Sequence, residues 1–243
     1  MRHAKWDRSK GQPEPVHLLD RVPEHENGEP LASLSAFAPS AVILRESVIP
    51  YLRQTVAEML ERACRALPEG YSLGVIDAWR PLERQKRIYE WMTASILEVW
   101  PEISHANLRR KVNRFVAPWY RKAPPGHCTG GAVDVHLIGP DGEVVDVSAP
   151  YDRFVAAPTY SLGLAPEAAR HRTMMVEAML GAGFSNCRDE WWHYSYGDAG
   201  WAVRLREHAC FYGLAELEPE LYAEQERIWL ENLKERKNPF KPG

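Results

Sequence analysis

Apolar residues recur at helical spacing in several segments of the chain. In the first of these segments, steps of three and four residues give one apolar stripe of Leu52, Val56, Met59, Leu60, Ala63 and Leu67. Side chains at this spacing lie on one face, so the stripe predicts an amphipathic helix, which Pro68 and Gly70 end. Further helices are expected at 88–99, 104–116 and 166–180.

Strand-like segments lie between these helices. Residues 71–79 form a short apolar run, residues 132–138 are β-prone, and residues 191–196 are aromatic and β-prone. A Gly-Pro-Asp-Gly turn after residue 138 and a returning run at 143–147 predict a hairpin. Helices and antiparallel strands alternate without regular β-α-β units. We therefore expect an α+β fold, with one domain and a small, mainly antiparallel sheet flanked by helices.

The two ends of the chain differ from this central part. The first forty residues are rich in Pro, Glu, Gly and Ser, which favours an extended arm at 1–40 lying over a domain at 41–243. An amphipathic helix is expected at about 214–235. This helix could pack on its own domain or on a second subunit, so a homo-oligomer stays open.

Composition excludes several functional classes. The 243 residues are 45% hydrophobic and 26% charged, with a formal net charge of -3 and no basic stripe, which argues against nucleic-acid binding. No segment approaches the roughly 18 apolar residues of a membrane-spanning helix, and no signal peptide is evident. The four cysteines are widely spaced, which excludes a cysteine zinc knuckle. We expect a cytoplasmic protein with free thiols and no membrane partner.

Two segments, 125–137 and 188–198, concentrate side chains that bind metals. They contain His127, Asp134 and His193, which together offer two imidazole nitrogens and one carboxylate oxygen. A catalytic zinc ion needs three protein ligands and one open position, and it accepts both ligand types. Spacing leaves other ligands open. His136 lies on the same strand face as Asp134, and cysteine sulfur is available close to both segments.

Glu190 is the candidate proton acceptor beside this metal. It precedes His193 by three residues. Within a strand, that offset would point the two side chains to opposite faces, so a bend near the strand end is required for a shared site. Arg80 lies at a predicted strand-to-helix turn, from which an arginine could stabilise an oxyanion.

Three sequence motifs resemble one family. The run from Gly126 to Val135 is similar to the zinc-binding His-x6-Asp motif of the VanX-like D-alanyl-D-alanine dipeptidases. These metallopeptidases share a fold with D,D-carboxypeptidases and the Hedgehog signalling domain. The segment 189–198 resembles the family's Glu-Trp-Trp-His element, and Asp-Ala-Trp-Arg-Pro at 77–81 resembles its arginine turn. The order and spacing agree over roughly residues 45–200.

The resemblance implies roles for individual residues. It implies one Zn²⁺ per chain, bound by His127, Asp134 and His193. Glu190 matches the catalytic base, and Arg80 matches the arginine that contacts the transition-state oxygen.

Departures from the family's pattern concern the substrate pocket. Asp152 resembles the carboxylate that receives the substrate's amino group. Pro125 stands where family members commonly have a serine, and Ser148 stands where they have a glycine. The metal ligands match the family, so these two positions put only the identity of the dipeptide in question.

The function that follows is zinc-dependent hydrolysis of D-Ala-D-Ala, or of a related small D,D-dipeptide, by metal-activated water. Two alternatives stay open at this point. One is a D,D-carboxypeptidase acting on longer cell-wall peptides. The other is a non-catalytic zinc-binding or peptide-binding module, against which the retained Glu190 and Arg80 argue, because a structural site needs neither.

Overall fold

A five-stranded sheet forms the centre of the molecule. The computed structural model describes residues 16–150, 157–159, 161 and 163–241. In chain order the strands are β1 (Leu31–Ser33), β2 (Val42–Ile43), β3 (Tyr51–Arg53), β4 (Ser72–Asp77), β5 (Ala132–Ile138), β6 (Ser185–Asn186) and β7 (His193–Ser195). The central sheet has the order β2-β4-β5-β7-β6, in which only the β2–β4 pair is parallel, while β1 and β3 form a separate antiparallel pair.

Helices pack around this sheet. They are α1 (Leu34–Phe37), α2 (Gln54–Ala66), α3 (Leu82–Val99), α4 (His105–Val112), α5 (Gly126–Thr129), α6 (Pro166–Gly181), α7 (Ala199–Leu205) and α8 (Ala223–Glu235). The predicted apolar stripe forms the buried face of α2, where Val56, Leu60 and Ala63 are fully buried. The α+β prediction of one domain with a small, mainly antiparallel sheet is confirmed. None of the described helices is both long and apolar enough to cross a membrane.

The predicted hairpin after β5 forms only at its tip. Gly139 N donates to Glu143 O at 2.9 Å, and Ile138 makes a single bridge with Val144. The run 143–147 does not form a strand, because β7 already occupies the same edge of β5 along residues 132–134. The returning segment therefore finds free backbone groups only at the end of β5.

The ends of the chain contact the domain closely. Within the segment expected to be an extended arm, β1 pairs with β3, and Leu34 is only 2% exposed in the main core. Residues 1–15 lie outside the described residues. At the other end, α8 begins at Ala223 rather than near residue 214. A short 3₁₀ helix, Pro219–Leu221, precedes it, and proline is not tolerated inside an α-helix.

Candidate metal centre

Asp134 and His193 are cross-strand neighbours. The antiparallel pairing of β5 with β7 sets Asp134 directly opposite His193, so their side chains project from the same face of the sheet. His193 Nδ1 lies 2.8 Å from Asp134 Oδ1. The sheet register therefore joins two residues that lie in different predicted motifs.

His127 approaches the same carboxylate from α5. Its Nδ1 lies 2.8 Å from the carbonyl oxygen of Ala78, which can only accept, so Nδ1 carries the proton. Its Nε2 then faces Asp134 Oδ1 at 3.3 Å. This backbone contact fixes the ring orientation in the way that outer hydrogen bonds orient metal-binding histidines.

These three side chains form a group suited to a metal ion. One ligand atom from each of His127, Asp134 and His193 lies within 4.8 Å of the other two, and this is the only such group found among the described residues. His136 is not part of it, and its ring packs against Trp191 with the centroids 4.9 Å apart. The cysteines near the site are likewise outside the group and are buried.

The electrostatics of the group favour a carboxylate between two nitrogen donors. Burial raises the pKa of Asp134, but His127 and His193 lower it more, so it stays below its usual range. Burial lowers the pKa of His127, and the carboxylates of Asp134 and Asp77 outweigh this effect and raise it. A cation bound here would meet an ionised carboxylate and would compete with a proton on His127.

Glu190 is joined to the metal group by a tight turn. The backbone N–H of His193 donates to the carbonyl oxygen of Glu190 at 3.0 Å, and β7 begins only at His193. The two residues therefore do not share one strand, and the bend that the sequence required is present. Glu190 is half-buried and lines the same cleft as the three metal-group residues.

Arg80 follows β4 and lines the same cleft as the metal group. Its Nη2 donates to Asp77 and its Nη1 to Gln85, while its buried Nε has no hydrogen-bond partner among the described residues. Burial lowers the pKa of Arg80, but the Asp77 carboxylate outweighs it and raises the pKa, which keeps the guanidinium charged. Asp77 was not assigned a role from the sequence, although it lies only three residues before Arg80.

A cleft of about 820 Å³ contains these residues. Arg80, Glu190 and the three metal-group side chains all line it. Pro125, one of the two departures from the family pattern, also lines the cleft. The other, Ser148, is exposed, and the lining that the structure describes does not include it. Asp152 lies outside the described residues.

Comparison with known proteins identifies the family. The fold and the His-Asp-His group define a metallopeptidase. A family model described as D-ala-D-ala dipeptidase matches residues 44–211, and the chain belongs to this family. The chain is 28% identical over 183 residues to a D-alanyl-D-alanine dipeptidase of Synechocystis sp., covering 65% of this chain and 74% of that protein. It is 29% identical over 87 residues to a D-alanyl-D-alanine dipeptidase of Escherichia coli, covering 35% of this chain and 45% of that protein.

Proposed function

We propose that this protein is a zinc-dependent dipeptidase that hydrolyses D-Ala-D-Ala or a closely related D,D-dipeptide. The observation that carries the proposal is the convergence of His127, Asp134 and His193 within 4.8 Å, in one cleft with Glu190 and Arg80. Membership of the D-ala-D-ala dipeptidase family supports the choice of substrate.

The donor set suits zinc. Two imidazoles and one carboxylate are a catalytic rather than a structural ligand set, because three ligands leave a position for water. The bond from His127 to Ala78 directs the Nε2 lone pair towards Asp134, where an ion would bind. When bound, zinc would polarise the scissile carbonyl and lower the pKa of a coordinated water from 15.7 to about 7.

The protein's own residues then carry the proton transfers and stabilise the developing charge. Glu190 accepts a proton from the attacking water and delivers it to the amine of the leaving amino acid. Arg80 stabilises the oxygen of the carbonyl that is being attacked, and Asp77 and Gln85 hold its guanidinium in place. Asp152 is proposed, on the family resemblance alone, to receive the amino group of the substrate.

The cleft favours a short substrate. Residues from both ends of the described chain line it, with Val16 and Leu19 from the N-terminal end and Trp229 and Arg236 from the C-terminal end. We infer that a long peptide would contact these segments, whereas a dipeptide at the metal group need not.

The test combines metal analysis with a hydrolysis assay. Protein stripped with a chelator should be inactive, and one equivalent of Zn²⁺ should restore release of D-alanine from D-Ala-D-Ala, with L-Ala-L-Ala as the control substrate. Cleavage of a cell-wall pentapeptide in preference to the dipeptide would indicate a D,D-carboxypeptidase instead. Zinc binding without cleavage of either peptide would indicate a non-catalytic module.

A further inference from the structure

Seven arginines besides Arg80 line the cleft and have no role in the proposed hydrolysis, and three of them are Arg45, Arg84 and Arg236. Arg45 follows β2, Arg84 lies on α3, and Arg236 immediately follows α8. The family match ends at residue 211, so Arg236 belongs to a part of the chain beyond it.

Arg84 is a buried cation whose hydrogen-bonding capacity is incompletely used. Its Nε donates to Glu226 on α8 at 2.8 Å, and its Nη1 donates to the carbonyl oxygen of Ser47 at 2.9 Å. The residue is 3% exposed, and its buried Nη2 has no hydrogen-bond partner within the described residues. An unsatisfied buried N–H is costly, so an acceptor supplied by a ligand would be strongly favoured at this position.

Arg45 and Arg236 add positive charge to the lining of the cleft. No ion pair involving either residue is found on the described part of the chain. The Arg236 guanidinium lies 4.4 Å from the centroid of the Trp91 ring, which holds it in place. Burial lowers the pKa of Arg236, and the positive charges of Arg45 and Arg80 lower it further. The like charges that lower the pKa of Arg236 thus come from two arginines that line the same cleft, and the metal group lines this cleft as well.

We propose that Arg45, Arg84 and Arg236 form a subsite that binds the C-terminal carboxylate of the peptide substrate. This inference rests on the proposed dipeptidase function and assigns the end of the cleft at which the substrate's acid group lies. The planar guanidinium donates two parallel hydrogen bonds to a carboxylate, so these two arginines and the free Nη2 of Arg84 suit such an anion. The C-terminal helix α8 then contributes to substrate specificity, because Glu226 bonds Arg84 and Arg236 follows the end of this helix.

The experiment compares D-Ala-D-Ala with its C-terminal amide in the zinc-loaded 243-residue protein. Arg45→Gln and Arg236→Gln are the test variants, because both residues are exposed, whereas Arg84 is buried and part of the fold. Arg227→Gln is the matched control, since Arg227 lies on α8 but pairs with Glu224 and Glu231 on the surface. We expect each test variant to raise KM for the acid about tenfold, with kcat little changed and the amide unaffected.

Two results would overturn the subsite. One is a wild-type protein that hydrolyses acid and amide equally well, and the other is a pair of variants that impair both substrates alike. If the wild-type protein hydrolyses neither the acid nor the amide, the proposed function is wrong. The subsite is then tested on its own by measuring the binding of the two compounds calorimetrically. Acid binding that exceeds amide binding and weakens about tenfold in both variants would support it. Equal binding of the two compounds, or no binding, would refute it.

Discussion

The backbone N–H of Arg80 donates a hydrogen bond of 3.1 Å to the carbonyl oxygen of His127. Two residues earlier in the same turn, the carbonyl oxygen of Ala78 accepts a hydrogen bond from the His127 ring. One turn after β4 therefore fixes both a metal-group histidine and the arginine that faces it. Because His127 is hydrogen-bonded to the turn that carries Arg80, the position of the histidine relative to the arginine does not depend on a flexible loop.

Replacing Arg80 should slow catalysis without removing the metal. We expect Arg80→Ala to lower kcat by about 10²–10³, the range found when a group that stabilises an oxyanion is lost. Arg80→Lys should recover only part of this loss, because the single ammonium nitrogen of lysine lacks the planar fork whose separate nitrogens bond Asp77 and Gln85. Steady-state kinetics and metal content measure the two effects, and Arg65→Ala, an exposed arginine on α2, is the control. A kcat within twofold of wild type in Arg80→Ala would contradict this role.

Replacing Glu190 should lower activity without lowering zinc binding. Its carboxylate is proposed to move protons rather than to bind zinc, so Glu190→Ala should keep one zinc per chain while turnover falls by about 10²–10⁴. Glu143→Ala removes an exposed carboxylate away from the cleft and should leave both quantities unchanged. Near wild-type turnover in Glu190→Ala would exclude the general-base mechanism.

His193 on β7 and His136 on the neighbouring strand β5 should behave differently when each is replaced. His193→Ala removes one of three ligands and should lose zinc, together with all activity, on dialysis. His136→Ala should retain zinc, because the His136 ring packs on Trp191 outside the metal group. Metal analysis after dialysis against a weak chelator measures the difference. Zinc loss in His136→Ala with retention in His193→Ala would reverse the ligand assignment.

The sequence predicts local structure well, because that structure depends on spacing. The strand at 132–138 and the helix that became α2 follow directly from their apolar patterns. The hairpin after residue 138 is wrong in extent, since a distant strand competes for the same edge of β5. Spacing cannot reveal such competition between segments that are far apart in the chain.

The same limit applies to the candidate site. Resemblance to a family predicts that His127, Asp134 and His193 bind one metal ion. The resemblance does not predict how they meet, because only the register of β5 with β7 sets Asp134 opposite His193. The cleft arginines carry no motif. Arg45 and Arg236 line one cleft although they lie near opposite ends of the chain, so no local pattern could have indicated them.

Stability in acid should depend on Glu29, which is not among the residues that line the cleft. Burial raises its pKa, but hydrogen bonds from the Tyr212 hydroxyl, at 2.6 Å, and from the backbone N–H of Thr55 lower it below the ordinary 4.5. A carboxyl with a lowered folded-state pKa stabilises the fold above its unfolded-state pKa, and this contribution is lost as the pH falls through the folded-state value. Glu29→Gln should therefore unfold at a lower urea concentration than wild type at pH 7, and this difference in urea midpoint should narrow below about pH 4.5.

Glu143→Gln is the exposed control. A gap in urea midpoint that is the same at pH 7 and pH 3 would refute the assignment, because a purely steric effect of the substitution would not depend on protonation.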